Sequence, residues 1–154
     1  MENTITIPSG LEGFTNTNTK KAPTVTDRMI LIIDGKIRER EDDRVCPKCG
    51  CKMHVHDTYD VHLSHIPFGR TLSAVRFEKR RYICPECHAT SMQGVPFQAG
   101  GHRITAPLYS YARDLLELGL TNKNVSELTG LCKNTVKDID KERLLKAAEI
   151  ACIK

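Results

Sequence analysis

The residues with the clearest chemistry are two pairs of cysteines, Cys46 with Cys49 and Cys84 with Cys87, and each pair encloses two other residues. Proline follows the first cysteine of both pairs, and Gly50 follows the second cysteine of the first pair. Proline presets φ for a tight turn and glycine accepts a left-handed conformation, so one turn can direct both sulfurs at the same ion. Two such turns supply the four thiolates of a closed tetrahedral zinc site. We therefore predict one structural Zn²⁺ bound by these four cysteines.

Other states of these thiols remain open from the sequence alone. Iron bound by four thiolates, as in an electron-transfer protein, is the main rival, because the ligand set is the same. Two independent buried thiol pairs are less favoured. Disulfides and a redox site are also disfavoured, because no apolar signal segment opens the chain and no βαβ pattern surrounds either pair. The remaining cysteines, Cys51, Cys132 and Cys152, are expected to be reduced, and Cys51 is near enough in sequence to replace a ligand.

The composition bounds the size of the core and the kind of partner. The chain has 154 residues, of which 5% are aromatic and none is tryptophan. This allows one ordinary domain or two small ones and argues against a single large core. The net charge is +4, and residues 36–104 contain 12 Lys/Arg against 8 Asp/Glu. Such a mild positive excess suits a polyanion such as nucleic acid, and no apolar run is long enough to span a membrane.

The amino-terminal half is predicted to be β-structure preceded by a flexible arm. Residues 1–27 are polar and poor in large apolar side chains, which favours an arm. Residues 29–33 are apolar and mostly β-branched, which predicts a strand. The Asp-Gly pair at 34–35 suggests a hairpin turn with residues 36–40 as the return strand, and a single strand kinked at the glycine is the alternative. We place a zinc-binding β domain at residues 28–100.

Two long strands are predicted between the cysteine pairs. Apolar residues alternate over residues 55–66, a turn follows, and residues 72–83 form a strand that ends on the second pair. Lys79, Arg80 and Arg81 on this strand are the densest basic cluster of the chain. They are interpreted either as a solvated face that protects an edge strand or as contacts to DNA phosphates. The histidines of this region are assigned to the polar surface or to hydrogen bonds of the sheet rather than to a second metal site.

The carboxy-terminal third changes to helical periodicity after a loop rich in glycine and proline. Threonine caps are predicted to open helices over residues 105–119 and 121–129. Gly130 makes a turn into a third helix that begins near residue 133. We assign residues 101–154 to a three-helix, helix-turn-helix domain.

The second and third helices have helix-turn-helix spacing. Small or apolar residues occupy the positions that must pack across the turn, which are Val125, Ser126, Leu131, Val136 and Ile139. Thr129 and Cys132 depart from the pattern, and a purely structural helical hairpin is the alternative. If the pair reads DNA, the exposed start of the third helix faces the major groove. The predicted contacts there are Lys133, Asn134, Thr135 and Lys137.

The order of these motifs resembles the N-terminal region of bacterial insertion-sequence transposases of the ISL-three type. The resemblance covers about residues 29–142 and rests on Cys-Pro-x-Cys-Gly at 46–50, Arg-Arg-Tyr-x-Cys-Pro-x-Cys at 80–87, Arg-x-Thr at 103–105 and Thr-Val at 135–136. It implies a zinc-binding domain and a helix-turn-helix that together recognise the terminal inverted repeats of the element. It also implies a separate catalytic domain, whose Asp-Asp-Glu triad binds two metal ions and cuts and joins DNA strands.

No counterpart of that catalytic domain is recognised, so we expect no nuclease or strand-transfer activity from this chain alone. Asp138, Asp140 and Glu142 lie among basic residues and are interpreted as ion pairs on a helix surface. The overall prediction is an α+β protein, with a small zinc-ribbon-like antiparallel β domain followed by the three-helix domain. It is expected to bind double-stranded DNA in the bacterial cytoplasm, with a second copy or a catalytic domain as a further partner. A zinc-ribbon adaptor for protein interactions and a stand-alone transcription regulator are the alternatives.

Overall fold

The computed structural model describes residues 11–152, which form a sheet and three α-helices. The strands are β1 (Phe14–Pro23), β2 (Met29–Ile37), β3 (His54–Phe68), β4 (Thr71–Ile83) and β5 (Thr90–Met92). The helices are α1 (Ala106–Glu117), α2 (Asn122–Thr129) and α3 (Lys133–Cys152), and a short 3₁₀ helix spans Glu41–Arg44. This content confirms the predicted α+β class.

The sheet is built around a long antiparallel hairpin of β3 and β4, whose register pairs Val61 with Phe77 and Leu63 with Val75. The strand order is β1-β2-β4-β3, with β5 also paired to β4. β2 runs parallel to β4, so the prediction of a purely antiparallel domain is wrong for this pair. After β2 the chain passes through the first cysteine pair and β3 before it forms β4. β3 reverses the direction of the chain, so β4 runs parallel to β2. A long connection of this kind is what two parallel neighbouring strands require.

β1 corrects the prediction of a flexible arm for residues 14–23. This segment pairs antiparallel with β2, for example Thr19 with Ile33. The composition misled the prediction because an edge strand is held by backbone hydrogen bonds and needs few large apolar side chains. Phe14 supplies one such side chain, and its ring centroid lies 5.8 Å from that of Phe97. The first ten residues of the predicted arm lie outside the described part of the chain.

Gly35 lies inside β2, so the predicted hairpin turn is wrong and the alternative of a single strand is correct. A Cβ atom at Gly35 would overlap the ring of Phe14 and lie 2.5 Å from the Thr15 carbonyl oxygen. Glycine is therefore required for the close approach of β1. A register shift between Asn16 and Asn18 accompanies this approach, as is usual for a glycine within a strand.

The interior of residues 11–152 consists of three separate apolar clusters, in line with the low aromatic content. One face of the sheet carries Ile33, Leu63, Val75, Phe77 and Phe97. The helical cluster contains buried residues from all three helices and from the preceding loop, which are Ala99, Ile104, Leu108, Ala112, Leu116, Val125, Leu131, Val136 and Ile139. The third cluster is small and contains Cys46, Met53, Tyr82 and Cys84.

The predicted helix boundaries are confirmed by their caps. The Thr105 hydroxyl accepts the Leu108 N–H at the start of α1, and the Thr121 hydroxyl accepts the Asn124 N–H at the start of α2. Gly130 ends α2 with φ of +76°, a left-handed geometry that glycine adopts without strain. None of the helices in the described part of the chain combines the length and the apolar character needed to cross a membrane.

The helices dock on the second half of β3. The Ser64 carbonyl accepts the Thr105 N–H at 2.9 Å, and the Ser64 N–H donates to the Arg103 carbonyl at 3.1 Å. Nδ1 of the buried His65 lies 2.8 Å from the Thr105 hydroxyl, and burial lowers the pKa of this histidine. Ala99 packs in the helical cluster. The domain division at residue 100 stays a prediction, and these contacts join its two sides.

Candidate metal centre

The first cysteine pair lies in a tight turn, the first knuckle (residues 46–51), which two backbone hydrogen bonds close. The Cys46 N–H donates to the Cys51 carbonyl at 2.9 Å, and the Gly50 N–H donates to the Cys46 carbonyl at 3.0 Å. Gly50 has φ of +74°, which explains the glycine after the second cysteine. The turn leaves both cysteine side chains on the side that faces the second pair.

The second knuckle (residues 84–89) repeats this geometry. The Cys84 N–H donates to the Ala89 carbonyl at 2.9 Å, and the His88 N–H donates to the Cys84 carbonyl at 3.0 Å. His88 takes the place of Gly50 and has φ of +59°, the one positive φ of a non-glycine residue among residues 11–152. A left-handed non-glycine residue persists only where its surroundings hold it. The sequence analysis missed this backbone role of His88, and the available signal was its position directly after the second cysteine.

The two knuckles bring four sulfur atoms together. Sγ of Cys46 lies 3.5 Å from Sγ of Cys87, and Sγ of Cys49 lies 3.4 Å from Sγ of Cys84. All four sulfur atoms lie within 4.8 Å of one another. Zinc–sulfur bonds of about 2.3 Å in a tetrahedron place the sulfurs roughly 3.8 Å apart. The two shortest contacts are slightly below this value and no pair of sulfurs is farther apart than 4.8 Å, so the four cysteines fit one tetrahedral ion.

The four thiols differ in burial and in proton affinity. Cys46 and Cys84 are buried, whereas Cys49 and Cys87 are exposed. The backbone N–H groups of Cys49 and Lys48 lower the pKa of the Cys46 thiol to about 6, and the Cys87 N–H likewise lowers the pKa of Cys84. For each exposed thiol a backbone N–H group lowers the pKa, that of Cys51 for Cys49 and that of Ala89 for Cys87. The sulfur that faces each of them, of Cys84 and of Cys46 respectively, raises the pKa, and the net shift is upward. A bound cation favours the thiolate in all four.

A carboxylate network supports the buried side of the site. The Glu39 carboxylate, which follows β2, accepts hydrogen bonds from Arg44 at 2.6 Å, Arg80 at 2.6 Å and the Tyr82 hydroxyl at 3.1 Å. Arg44 is the main cause of the lowered pKa of Glu39, and burial is the main cause that raises the pKa of Tyr82 to about 12. The sequence analysis did not identify Glu39, because two of its partners lie 41 and 43 positions away and no spacing marks them.

Two residues of the basic cluster predicted on β4 form ion pairs with carboxylates of the same chain. Arg80 pairs with Glu39, and Arg81 donates two hydrogen bonds to Asp57 at 2.9 Å and 2.8 Å. Lys79 is half-buried. DNA contact by this cluster stays a prediction. To bind a phosphate, Arg80 would have to weaken its ion pair with Glu39, and Arg81 its ion pair with Asp57.

The predicted base-reading residues lie at the start of α3. Lys133, Asn134 and Lys137 are exposed, and Thr135 is half-buried. The Thr135 hydroxyl lies 3.0 Å from Sγ of Cys132, and this contact is the first cause of the lowered pKa of that thiol. The backbone N–H groups of Thr135 and Asn134 also lower this pKa, so the Cys132 sulfur faces the unpaired N–H groups of the first turn of α3, as the side chain of a serine-like cap would.

The other potential ligands do not join a second metal group. Within residues 11–152, the four knuckle cysteines are the one set of three or more ligating side chains that could hold an ion. Cys51 is half-buried and is the last residue of the first knuckle, where its carbonyl and not its sulfur is used, and Cys132 and Cys152 are exposed. Cys51 therefore lies outside the group of four.

Residues 42–87 match a family model described as the zinc-finger of transposase IS204/IS1001/IS1096/IS1165. The match contains both ligand pairs and ends before α1. No curated protein and no solved structure shows significant similarity to the chain. The family match and the sulfur geometry agree: this region is similar to the zinc finger of these transposases, and Cys46, Cys49, Cys84 and Cys87 form a site for one structural Zn²⁺. The predicted cofactor is thus confirmed.

Four protein ligands also define what the ion can do. A catalytic zinc ion keeps one coordination position for water or substrate, whereas a closed four-cysteine site leaves none. The four cysteines therefore correspond to a structural site, in which the ion would hold the two knuckles together.

Proposed function

We propose that this chain is the DNA-binding module of a transposase-like protein and that it recognises the terminal inverted repeats of the element. The observation that carries the proposal is the exposed start of α3, with Lys133, Asn134 and Lys137, in the same chain as a transposase-type zinc ribbon. Lysine can donate to O6 and N7 of guanine, and asparagine can pair with N6 and N7 of adenine. These side chains suit sequence readout in the major groove.

The packing of α2 against α3 supports a helix-turn-helix. Val136 and Ile139 of α3 are fully buried, and the exposed cations lie on the other side of the same helix. Gly130 makes the turn in a left-handed conformation. The Ser126 hydroxyl donates to the Leu131 carbonyl at 2.6 Å, so a small side chain lets α2 approach the segment after the turn. These are the features that a tight pair of short helices requires.

Thr129 departs from the usual apolar residue at its position, and its contacts explain why it is tolerated. Its hydroxyl donates to the Val125 carbonyl at 2.7 Å and accepts the Leu131 N–H at 3.3 Å. The buried hydroxyl is therefore fully used, and it supplies a partner to a backbone group of the turn. This contact favours the helix-turn-helix interpretation over an unrelated hairpin.

We further propose that the chain binds DNA without cutting it. Asp140 accepts a hydrogen bond from Arg143 at 2.7 Å, and Glu142 accepts hydrogen bonds from the Tyr109 hydroxyl and from His102. Asp140 is paired within α3, as expected for an ion pair on a helix surface, whereas Glu142 is held by Tyr109 of α1 and by His102 of the preceding loop. Two-metal catalysis instead needs carboxylates that converge on a shared pair of ions. Strand cutting would then come from a catalytic domain elsewhere in the polypeptide or the assembly.

Selection of bound duplexes from a random pool by the zinc-loaded chain tests the DNA-binding proposal. We expect enrichment of a defined sequence and an affinity that falls with salt, with a logarithmic slope of about −0.9 for each phosphate contacted. Asn134→Ala should relax preference at one base position and weaken binding by about 1–3 kcal/mol.

Lys146→Gln is the matched control for Lys133→Gln. Both lysines are exposed on α3, but thirteen helical residues separate them by about 20 Å. We expect Lys133→Gln to weaken binding and Lys146→Gln to leave it unchanged. A folded, zinc-loaded chain that enriches no sequence and shows no salt-dependent binding would contradict the proposal.

A protein-interaction adaptor is the second candidate, and the distal half of α3 favours it. Leu144, Leu145 and Ile150 are 53%, 58% and 57% exposed, which is unusual for large apolar side chains grouped on one helix. Retained fold and zinc without duplex binding, together with a stable protein complex that Leu144→Lys abolishes, would favour this candidate.

A further inference from the structure

The tip of the β3–β4 hairpin lies directly against the turn between α2 and α3. A Cβ atom placed on Gly130 would lie 2.5 Å from a terminal carbon of Leu72, so this leucine packs on the turn itself. Arg28 adds a second connection, because its Nε donates to the Arg70 carbonyl at 2.8 Å and its Nη1 donates to the Glu127 carbonyl at 2.6 Å. The guanidinium thus joins the hairpin tip to the carboxy-terminal end of α2, where a cation is favourable.

The side chain of Arg70 takes no part in these connections. Its side chain is 78% exposed, and its ion-pair partner Asp27 is 82% exposed at a distance of 3.0 Å. An ion pair between two exposed groups contributes little stability and exchanges readily for another anion. Arg80 and Arg81, by contrast, are half-buried and held by Glu39, which follows β2, and by Asp57 on β3. Among the arginines of this hairpin, Arg70 is therefore the most available to a phosphate.

A groove of about 1000 Å³ separates the hairpin tip from α2, and Arg70 and Asn124 lie on its two walls. Asn124 is in the first turn of α2. In helix-turn-helix docking, the first helix of the pair crosses the DNA backbone while the second helix enters the major groove. The major groove is about 12 Å wide, so phosphates flank the second helix on both sides. A phosphate strand that crosses α2 would pass over this groove and within reach of Arg70.

The metal end of the same hairpin is too far away to share this contact. Leu72 near the start of β4 and Cys84 directly after its end are twelve residues apart, which corresponds to roughly 40 Å of extended chain. Zinc with four thiolates also carries a net formal charge of about −2, which offsets the exposed Lys48 and Lys52 of that end. Distance and charge therefore both separate the metal from the phosphates beside α3.

We propose that the β3–β4 hairpin tip is a second DNA-contacting element and that Arg70 binds a phosphate next to the groove that α3 occupies. The inference rests on the proposed DNA-binding function and adds a contact from outside the helices. It also shifts the expected phosphate contact of β4 from Arg80 and Arg81 to the opposite end of the hairpin.

Salt titration of binding tests this contact with the duplex selected by the wild-type chain. Loss of one phosphate contact should reduce the logarithmic salt slope by about 0.9 and weaken binding by about five-fold at 0.15 M salt. We expect this result for Arg70→Gln, whereas Arg70→Lys should keep most of the slope. Asp27→Asn removes the competing carboxylate and should strengthen binding. Lys52→Gln makes the same charge change at the metal end and should leave the slope unchanged.

Folding does not confound this comparison, because only the backbone of Arg70 is used by Arg28, and zinc content and circular dichroism verify each variant. If Lys133→Gln lowers the slope and Arg70→Gln does not, the DNA-binding function stands and the hairpin contact is refuted. If the wild-type chain binds no duplex, both proposals are refuted. An equal loss of slope in Arg70→Gln and Lys52→Gln would show a diffuse charge effect and would also refute a contact at the tip.

Discussion

The two ends of the β3–β4 hairpin are stabilised by different means. At the metal end, the buried apolar cluster consists of Cys46, Met53, Tyr82 and Cys84, and two of these four residues are zinc ligands. At the helical end, the buried apolar cluster is larger and the helices carry threonine and glycine caps. A small unit that buries little apolar surface needs a cross-link such as a bound metal ion to be stable. A three-helix unit with capped helices can be stable through its apolar core alone. The hairpin therefore joins a metal-dependent end to a metal-independent end.

The ends also differ in how they use charge. Near the metal, Arg44, Arg80 and Arg81 are all engaged by carboxylates. At the start of α3, Lys133 and Lys137 are exposed. Paired charges fix strand positions, whereas exposed cations are available to a polyanion. Under the proposed function, the exposed cations of α3 are the ones that meet DNA, whereas the paired arginines near the metal hold the strands in place.

Removal of zinc should have the largest effect and should separate the two ends. Zinc binding contributes about 10–16 kcal/mol to the folding of small zinc domains, and the cluster behind the ligands is small. We expect Cys84→Ser to abolish zinc binding and to remove hydrogen-exchange protection around both knuckles, while α1 to α3 keep theirs. Hydrogen exchange by mass spectrometry, with and without a chelator, measures both regions in one sample.

Cys132→Ser is the matched control for that substitution, because this exposed cysteine lies outside the metal site. It should keep one zinc per chain and normal protection of the knuckles. Equal loss of protection in the helices and in the knuckles after chelation would show that the metal supports the whole chain, and the distinction between the ends would fail.

A cavity in the helical core should produce the reverse pattern. Ile139 is fully buried among the three helices, and Ile→Ala in a packed core costs about 2–5 kcal/mol. We expect Ile139→Ala to lower the thermal stability of the helices while zinc stoichiometry stays at one. Ile150→Ala, at an exposed position on the same helix, should change stability by much less. Loss of zinc in Ile139→Ala would show that the helical core also maintains the metal site.

Local patterns predicted much of this molecule. The four ligands, the capped starts of α1 and α2, the turn at Gly130 and the long strand of residues 71–83 follow from spacing, capping and periodicity. Each of these features depends on residues that are close in sequence or on a ligand set of recognisable type. Such signals survive in a single sequence.

Features that depend on distant contacts could not be predicted. Gly35 has the signature of a hairpin turn, but the ring of Phe14 on the neighbouring strand decides its role. β1 has the composition of an arm, and only its pairing with β2 makes it a strand. Arg80 resembles a surface cation until Glu39 is placed beside it. Tertiary partners override local preference in all three cases.

Substitution of Gly130 tests the contact, at the helical end, between the hairpin tip and the turn that joins α2 to α3. Alanine there would be strained by the left-handed backbone at about 1–3 kcal/mol, and its Cβ would overlap Leu72. We expect Gly130→Ala to be destabilising, and the added Leu72→Ala substitution to relieve the overlap but not the backbone strain. The double variant should be more stable than the sum of the single effects by about 0.5–3 kcal/mol in chemical unfolding. If the free-energy changes of the two single substitutions simply add in the double variant, Leu72 and the turn at Gly130 are not in energetically coupled contact.

Acid titration should give the smallest effect and should distinguish the charge networks of the two ends. Hydrogen bonding from Arg44 is the main cause that lowers the pKa of Glu39 from its ordinary value of 4.5, and hydrogen bonding from Tyr109 similarly lowers that of Glu142. A lowered native pKa means that the unfolded chain takes up protons first, so the stabilisation is complete above about pH 4.5 and is lost as the pH falls through the native value.

Chemical unfolding between pH 6 and pH 3 measures this loss. The free energy of unfolding of the wild type should exceed that of Glu39→Gln by less and less as the pH falls. Glu142 is 47% exposed against 25% for Glu39, so solvent screening should make the corresponding loss smaller in Glu142→Gln. An advantage over Glu39→Gln that stays constant down to pH 3 would mean that the carboxylate supports the metal end through its shape rather than through its charge.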